Sequence, residues 1–260
     1  MGDLFTVDLT HTDSTMCSRY DDNKWAETVT VHAGRDKVPF QLHTTPLTEK
    51  SFFFRTALRP GRWTESNKKL VQLAKINAEY FAMYTYWIYN SQLDYTALGY
   101  HPNGDDFVAF PAVLANGEYC PETHSNVSRH MEKTGDWAHR LIVLWVHAGF
   151  LGDVRLQNTI SEELEKWWFK EDLVVSIHRR TFEFVDQHTP PTSPLRKLCI
   201  DWAELSHVFL NRVGSQPEVE RLPKWLLSEL LLLRMFRERG TLRRDPRMMD
   251  LTQWGRYNVC

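Results

Sequence analysis

Apolar and polar side chains alternate through Val29-Thr30-Val31-His32-Ala33 and again through Val38-Pro39-Phe40-Gln41-Leu42, with Gly34-Arg35-Asp36-Lys37 between them. Period-two alternation on both sides of a short Gly-containing segment predicts a β-hairpin with one buried face. Pro39 lacks a backbone donor, which places its strand at a sheet edge. The pattern then changes. Thr44 or Thr45 is in position to cap a helix with Pro46 in its first turn and Glu49 close behind. A second short helix follows over Ser51–Leu58, stopped by Pro60-Gly61, and Leu70, Val71 and Leu73 suggest one more strand. Asn77 caps a predicted helix over Ala78–Asn90, whose Phe81, Tyr84 and Ile88 share one face.

From Tyr95 to Thr134 the pattern breaks into Pro, Gly, Asn and acidic residues around one apolar island, Phe107–Ala115, and is expected to be a long loop. Helical spacing resumes after it. Asp136 is expected to cap Trp137–Phe150, and Asp153 to cap Val154–Trp168, where Leu156, Ile160, Leu164 and Trp167 align. Further helices are expected over Leu173–Asp186, Leu195–Arg212 and Pro223–Arg239, with Thr189–Pro194 as a connector. Residues 1–24 are polar and weakly periodic, which reads as a flexible arm. The fold class expected from this order is α+β, a hairpin and short sheet packed with a helical cluster, followed by an all-helical carboxyl-terminal extension.

Composition narrows the function classes. Of the 260 residues, 42% are hydrophobic and 25% charged, ordinary values for a folded chain. Ten Trp, nine Tyr and fourteen Phe give many large side chains to bury or to present as contact surface. A formal net charge of -2 lacks the basic excess of a dedicated nucleic-acid binder. Cys17, Cys120, Cys199 and Cys260 are scattered with no C-x-x-C pair, so free thiols in a reducing compartment are expected. No secretory leader is recognisable, and the longest aliphatic run, Leu230–Leu233, is far short of a membrane span. The expected location is intracellular, cytoplasmic or nuclear.

Candidate chemistry is sparse. His43 lies where the hairpin enters a helix, a position suited to hydrogen bonding with backbone. His124, His130, His139 and His147 invite a zinc reading, and Asp105-Asp106 with Glu118 and Glu122 an acid–base one, so a metal-dependent hydrolase is the alternative from a different class. Neither set has the spacing of H-E-x-x-H, and no G-x-S-x-G elbow or phosphate-cradling loop is present. No cofactor, metal or catalytic residue is therefore assigned. Phe52-Phe53-Phe54 and Trp167-Trp168-Phe169 are the strongest apolar clusters, and a helix cannot turn three consecutive side chains into one core. The six arginines of Arg234–Arg247 suggest a solvated helix end paired with Glu238 and Asp245, or more weakly a transcription-related regulator.

Leu42-His43, Leu47, Ser51, Phe53-Phe54-Arg55 and Ala57, followed by Trp63-Thr64-Glu65-Ser66, Leu73, Phe81 and Trp87-Ile88-Tyr89, resemble the core pattern of the BTB/POZ family. Leu141–Leu151 with Asp153–Asn158 resembles the helix pair of its fungal branch, and Thr189–Arg196 the connector before its last helices. The resemblance spans, with gaps, most of residues 26–205. The chain departs from the pattern at Asn90-Ser91, where many relatives have Thr-Gly, and in the long segment before Asp136.

The resemblance implies a BTB/POZ fold and a protein–protein interaction module, not an enzyme. It implies homodimerisation, or an adaptor role toward a cullin-based ubiquitin ligase, with no nucleic acid or membrane as partner. The implied domains are a BTB/POZ-like unit over 25–170 with an insertion at about 95–135, a helical extension over 171–250 and a tail over 251–260. Edge strands pair readily with a second chain and short helices beside them present aromatic area. The contact surface is accordingly expected at Val29, Val31, Leu47, Phe52, Arg55 and Leu58.

Overall fold

A computed structural model of the chain describes Trp25 and residues 27–61, 68–99, 121–168, 177–205 and 222–238. Strands β1 (Thr28–Ala33) and β2 (Val38–His43) form the hairpin, and β3 (Leu70–Leu73) completes a mixed sheet of order β2-β1-β3. β1 pairs antiparallel with β2, Val29 opposite Leu42 and Val31 opposite Phe40, and parallel with β3, Val31 opposite Val71. Pro39 sits on β2, an outer strand of this sheet, where its missing donor costs no interior ladder bond. Gly34 and Lys37 both take positive φ in the connecting turn, at 75° and 53°. The alternation puts Val29, Val31, Ala33, Leu42, Val71 and Leu73 on one fully buried face.

The chain passes from β2 straight into helix α1 (Thr44–Lys50). Here the expected threonine cap is not found. Thr44 is already helical, His43 holds the cap position with no side-chain cap, and the Thr44 N–H donates to the Glu27 carbonyl at 2.9 Å, carrying the sheet contact into the first turn. Ser51 instead caps helix α2 (Phe52–Ala57), its hydroxyl accepting from the Phe54 N–H at 3.2 Å. Helix α3 (Ala78–Asn90) starts as expected, with Asn77 Oδ1 accepting from the Glu79 N–H. It ends on Ser91, which takes the left-handed conformation at φ 55°.

Helix α4 runs over Pro121–Leu151, far longer than the Trp137–Phe150 expected. The expected loop over 121–134 is corrected accordingly. Pro121 opens the helix, where a fixed φ and a missing donor are both tolerated. Asp136 lies within the helix and binds outward to His178 and Arg180 instead of capping. Gly135 lies inside the helix, and a Cβ there would fall 2.5 Å from the His178 ring, so only glycine leaves room for that ring. Helices α5 (Val154–Trp168), α6 (Arg179–His188), α7 (Pro194–Leu205) and α8 (Lys224–Glu238) complete the described part. The architecture is α+β, an amino-terminal three-stranded mixed sheet followed by helices. The expected flexible arm at 1–24, the resemblance residues Trp63–Ser66, the apolar island Phe107–Ala115 and the expected tail at 251–260 lie outside the described residues.

One hydrophobic core joins the buried sheet face to α1–α3 and continues through α4–α7 to Leu226 of α8. Phe54 and Phe81 are fully buried in it, their rings 6.3 Å apart. Of the three consecutive phenylalanines, Phe54 points inward, Phe53 is half-buried and Phe52 is 65% exposed. Phe54→Ala is therefore expected to destabilise the protein by roughly 3–5 kcal/mol, whereas Phe52→Ala, which keeps the packed Cβ, should change it by no more than about 0.5 kcal/mol. Urea denaturation of the two variants measures the difference.

Candidate functional site

Among the described residues, the turn between α4 and α5 fixes one group of exposed apolar side chains. The centre of the turn is Asp153, 1% exposed. One carboxylate oxygen accepts from the Leu156 N–H at 2.9 Å and caps α5. The other accepts from the Trp87 indole at 3.0 Å and the Tyr84 hydroxyl at 3.3 Å, both on α3. Burial, and after it the Asp153 charge, push the Tyr84 phenol well above its ordinary pKa, so it stays a proton donor. Gly152, at φ 66°, turns the chain between the two helices.

The α1–α2 junction is tied to the same turn. The Ser51 hydroxyl donates to the Leu151 carbonyl at 2.6 Å, and the Phe52 N–H donates to the Gly152 carbonyl at 3.4 Å. A Cβ on Gly152 would lie 2.8 Å from the Phe52 Cβ, so only glycine lets the turn seat directly on α2. With the backbones held this close, Phe52, Phe150 and Val154 emerge together at the surface, 65%, 51% and 38% exposed. Phe53 lies beneath, its ring 5.6 Å from Phe150 and 5.3 Å edge-on to Phe54. The result is an exposed apolar patch on a rigid, hydrogen-bonded base.

Basic groups flank the patch. Arg55 is on α2 one turn from Phe52, its Nε donating to the Thr48 carbonyl at 2.9 Å and its Nη2 to the Glu49 carbonyl at 3.0 Å. Arg155 is exposed next to Val154. Lys50 donates to the Trp87 carbonyl at 2.8 Å and the Ser91 hydroxyl at 2.7 Å, with its ammonium 5.0 Å from the Trp87 ring centre. Burial lowers the Lys50 pKa most, Asp153 works against that, and Arg155 adds to the lowering.

Of the six residues expected at a contact surface, Phe52 and Arg55 are exposed and Leu58 is half-buried against the core. Val29, Val31 and Leu47 are corrected: all three are at most 1% exposed, because the strand alternation and the inner face of α1 turn them into the core. Phe150 and Val154 were not anticipated. Their signal is an apolar side chain off the stripe of its own helix, since Leu141, Leu144, Ala148 and Leu151 line α4 inward while Phe150 does not.

A second aromatic cluster lies at the start of the described chain. The Trp25 ring stacks on Tyr89 at 6.1 Å and meets His43 edge-on at 5.1 Å. The Tyr89 hydroxyl is 3.0 Å from both the backbone N–H and Nδ1 of His43. His43 thus partners a side-chain hydroxyl, not the backbone carbonyl or amide its position suggests.

Among the described residues no three His, Cys, Asp or Glu side chains converge as a metal site would require. Asp105, Asp106, Glu118 and the side chains of Glu122, His124 and His130 lie outside the described residues. His139 Nδ1 is 3.0 Å from the Thr181 hydroxyl, and His147 packs on the Tyr80 ring at 5.6 Å. Burial first, then the nearby Arg180 and His178 charges, lower the His139 pKa to about 4. Burial first, then His188, lower His147 to about 4 as well. Cys199 is a buried free thiol whose pKa burial pushes up, leaving it unreactive. Trp167 and Trp168 are buried; Phe169 and the side chains of most of Arg234–Arg247 lie outside the described residues. No described helix is long and apolar enough to cross a membrane.

The sequence matches no family model and no curated protein.

Two outcomes are expected. Asp153→Ala removes the α5 cap and strands two buried donors, at a cost of roughly 3 kcal/mol or more; Asp153→Asn, which keeps an acceptor, should cost less in the same denaturation assay. The second concerns acid. His139 and His147 are held neutral to about pH 4 in the folded chain, whereas an unfolded histidine takes up a proton near pH 6.5. The unfolded state therefore binds more protons between those values, and stability falls as pH drops from about 6.5 toward 4. The melting temperature should decline across that window, and His147→Gln should flatten the decline.

Proposed function

We propose that the protein is a protein–protein interaction module of the BTB/POZ type, and that its contact surface is the patch of Phe52, Phe53, Phe150 and Val154. The observation that carries this reading is the patch itself. Large aromatic side chains left exposed together, on a base tied down by Ser51, Gly152 and Asp153, are what a docking surface requires. Preorganisation matters here, because a backbone already held in place loses little freedom when a partner arrives.

Two further observations support the family reading. The observed order of hairpin, two short helices, strand, helix and helix pair is the order the resemblance implies. Of the positions that carry the resemblance, Leu42, Leu47, Ser51, Phe54, Leu73, Phe81, Trp87 and Ile88 are buried, His43, Phe53 and Ala57 are half-buried, and Arg55 and Tyr89 are exposed. Homodimerisation and recruitment of a cullin-based ligase are the two uses that the BTB/POZ reading suggests for such a surface.

Site-specific photo-cross-linking tests the surface in the native cell. A benzophenone side chain at position 52 or 150 is expected to give discrete protein adducts, while one at the exposed hairpin residue Lys37 gives none. An adduct at twice the chain mass marks self-association, and one containing a cullin marks ligase recruitment. Indistinguishable patterns at 52, 150 and 37 would refute the proposed surface.

A further inference from the structure

We infer that the segment docking on the Phe52–Phe150–Val154 patch is acidic as well as apolar: a stretch of another protein carrying Leu, Phe or Trp anchors flanked by Asp or Glu. The inference rests on the interaction-module reading and adds the chemistry of the partner.

Charge around the patch carries it. Arg55 lies on α2 one turn from Phe52, and Arg155 on α5 next to Val154, so two of the three helices that build the patch each carry a basic residue beside it. Both are exposed, and neither has a carboxylate within ion-pair distance among the described residues. Arg55 spends its guanidinium on two backbone carbonyls, which fix its position and leave its charge uncompensated. The nearest buried carboxylate, Asp153, lies beneath the turn with both oxygens engaged. Arginine beside exposed aromatic rings binds carboxylates through its planar fork while the rings take apolar anchors.

The same charges argue against a second copy as the occupant. A two-fold dimer through this patch would set it against itself, bringing Arg55 and Arg155 toward their own equivalents. Like charges across an interface are a strong deterrent, whereas a partner segment with carboxylates removes the conflict and gains electrostatic steering.

Selection from a displayed library of random linear peptides on the full-length protein tests the inference. Recovered peptides are expected to combine aromatic or leucine residues with an excess of Asp and Glu. Their affinity should fall as salt rises. Phe52→Ser should abolish binding, Arg155→Glu should weaken it roughly tenfold, and Arg155→Lys should largely preserve it. Unchanged melting curves of all three variants show that the surface and not the fold was altered, and Phe150→Ser provides a second apolar probe. Phe52-dependent peptides that are neutral or basic, or equal binding to wild type and Arg155→Glu, overturn the acidic partner while leaving the interaction surface standing. Recovery of no peptide that depends on Phe52 or Phe150 also overturns the inference. The cross-linking at positions 52 and 150 then separately decides whether the surface itself survives.

Discussion

The buried carboxylate of Asp153 is the constraint on which the rest of the arrangement depends. A charge at that depth is tolerated only when its oxygens are fully engaged. Three donors meet that demand, the Leu156 amide, the Trp87 indole and the Tyr84 phenol. Because those donors sit on α3 and α5, satisfying the carboxylate fixes the position of the α4–α5 turn over α3. Ser51 then hooks the α1–α2 junction to the same turn through the Leu151 carbonyl. Segments about 100 residues apart in sequence are locked by a handful of polar contacts inside an otherwise apolar core, where such contacts are strong because the surroundings are dry.

Much of the amino-terminal fold was legible because its signals are local. Alternation marks the hairpin, Pro39 marks the edge, and Asn77 and Asp153 serve as helix caps where the spacing places them. Failures occurred where a tertiary contact overrides a local preference. Asp136 reads as a cap but binds His178 and Arg180 of another element, and Thr44 is drawn into the first turn with its amide on Glu27, which leaves His43 at the cap position.

The surface was half legible for a related reason. Three consecutive phenylalanines guarantee that one faces outward, and the sequence alone does not say which. Helix phase in the folded chain puts Phe54 inward and Phe52 outward, and the same periodicity returns Val29, Val31 and Leu47 to the core. Phe150 and Val154 join Phe52 only through the close approach that Gly152 permits. No reading of either segment by itself contains that neighbourhood.

The split origin of the patch has a consequence for recognition. It is a discontinuous epitope, assembled from two stretches that meet only after the helix pair has seated on α2. A molecule that grips both stretches binds the native chain and not the unfolded one, so by mass action it also holds the protein folded. On the proposed reading, occupancy would thereby serve as a checkpoint on conformation: a chain whose turn had come away from α2 would forfeit its partner and its protection together.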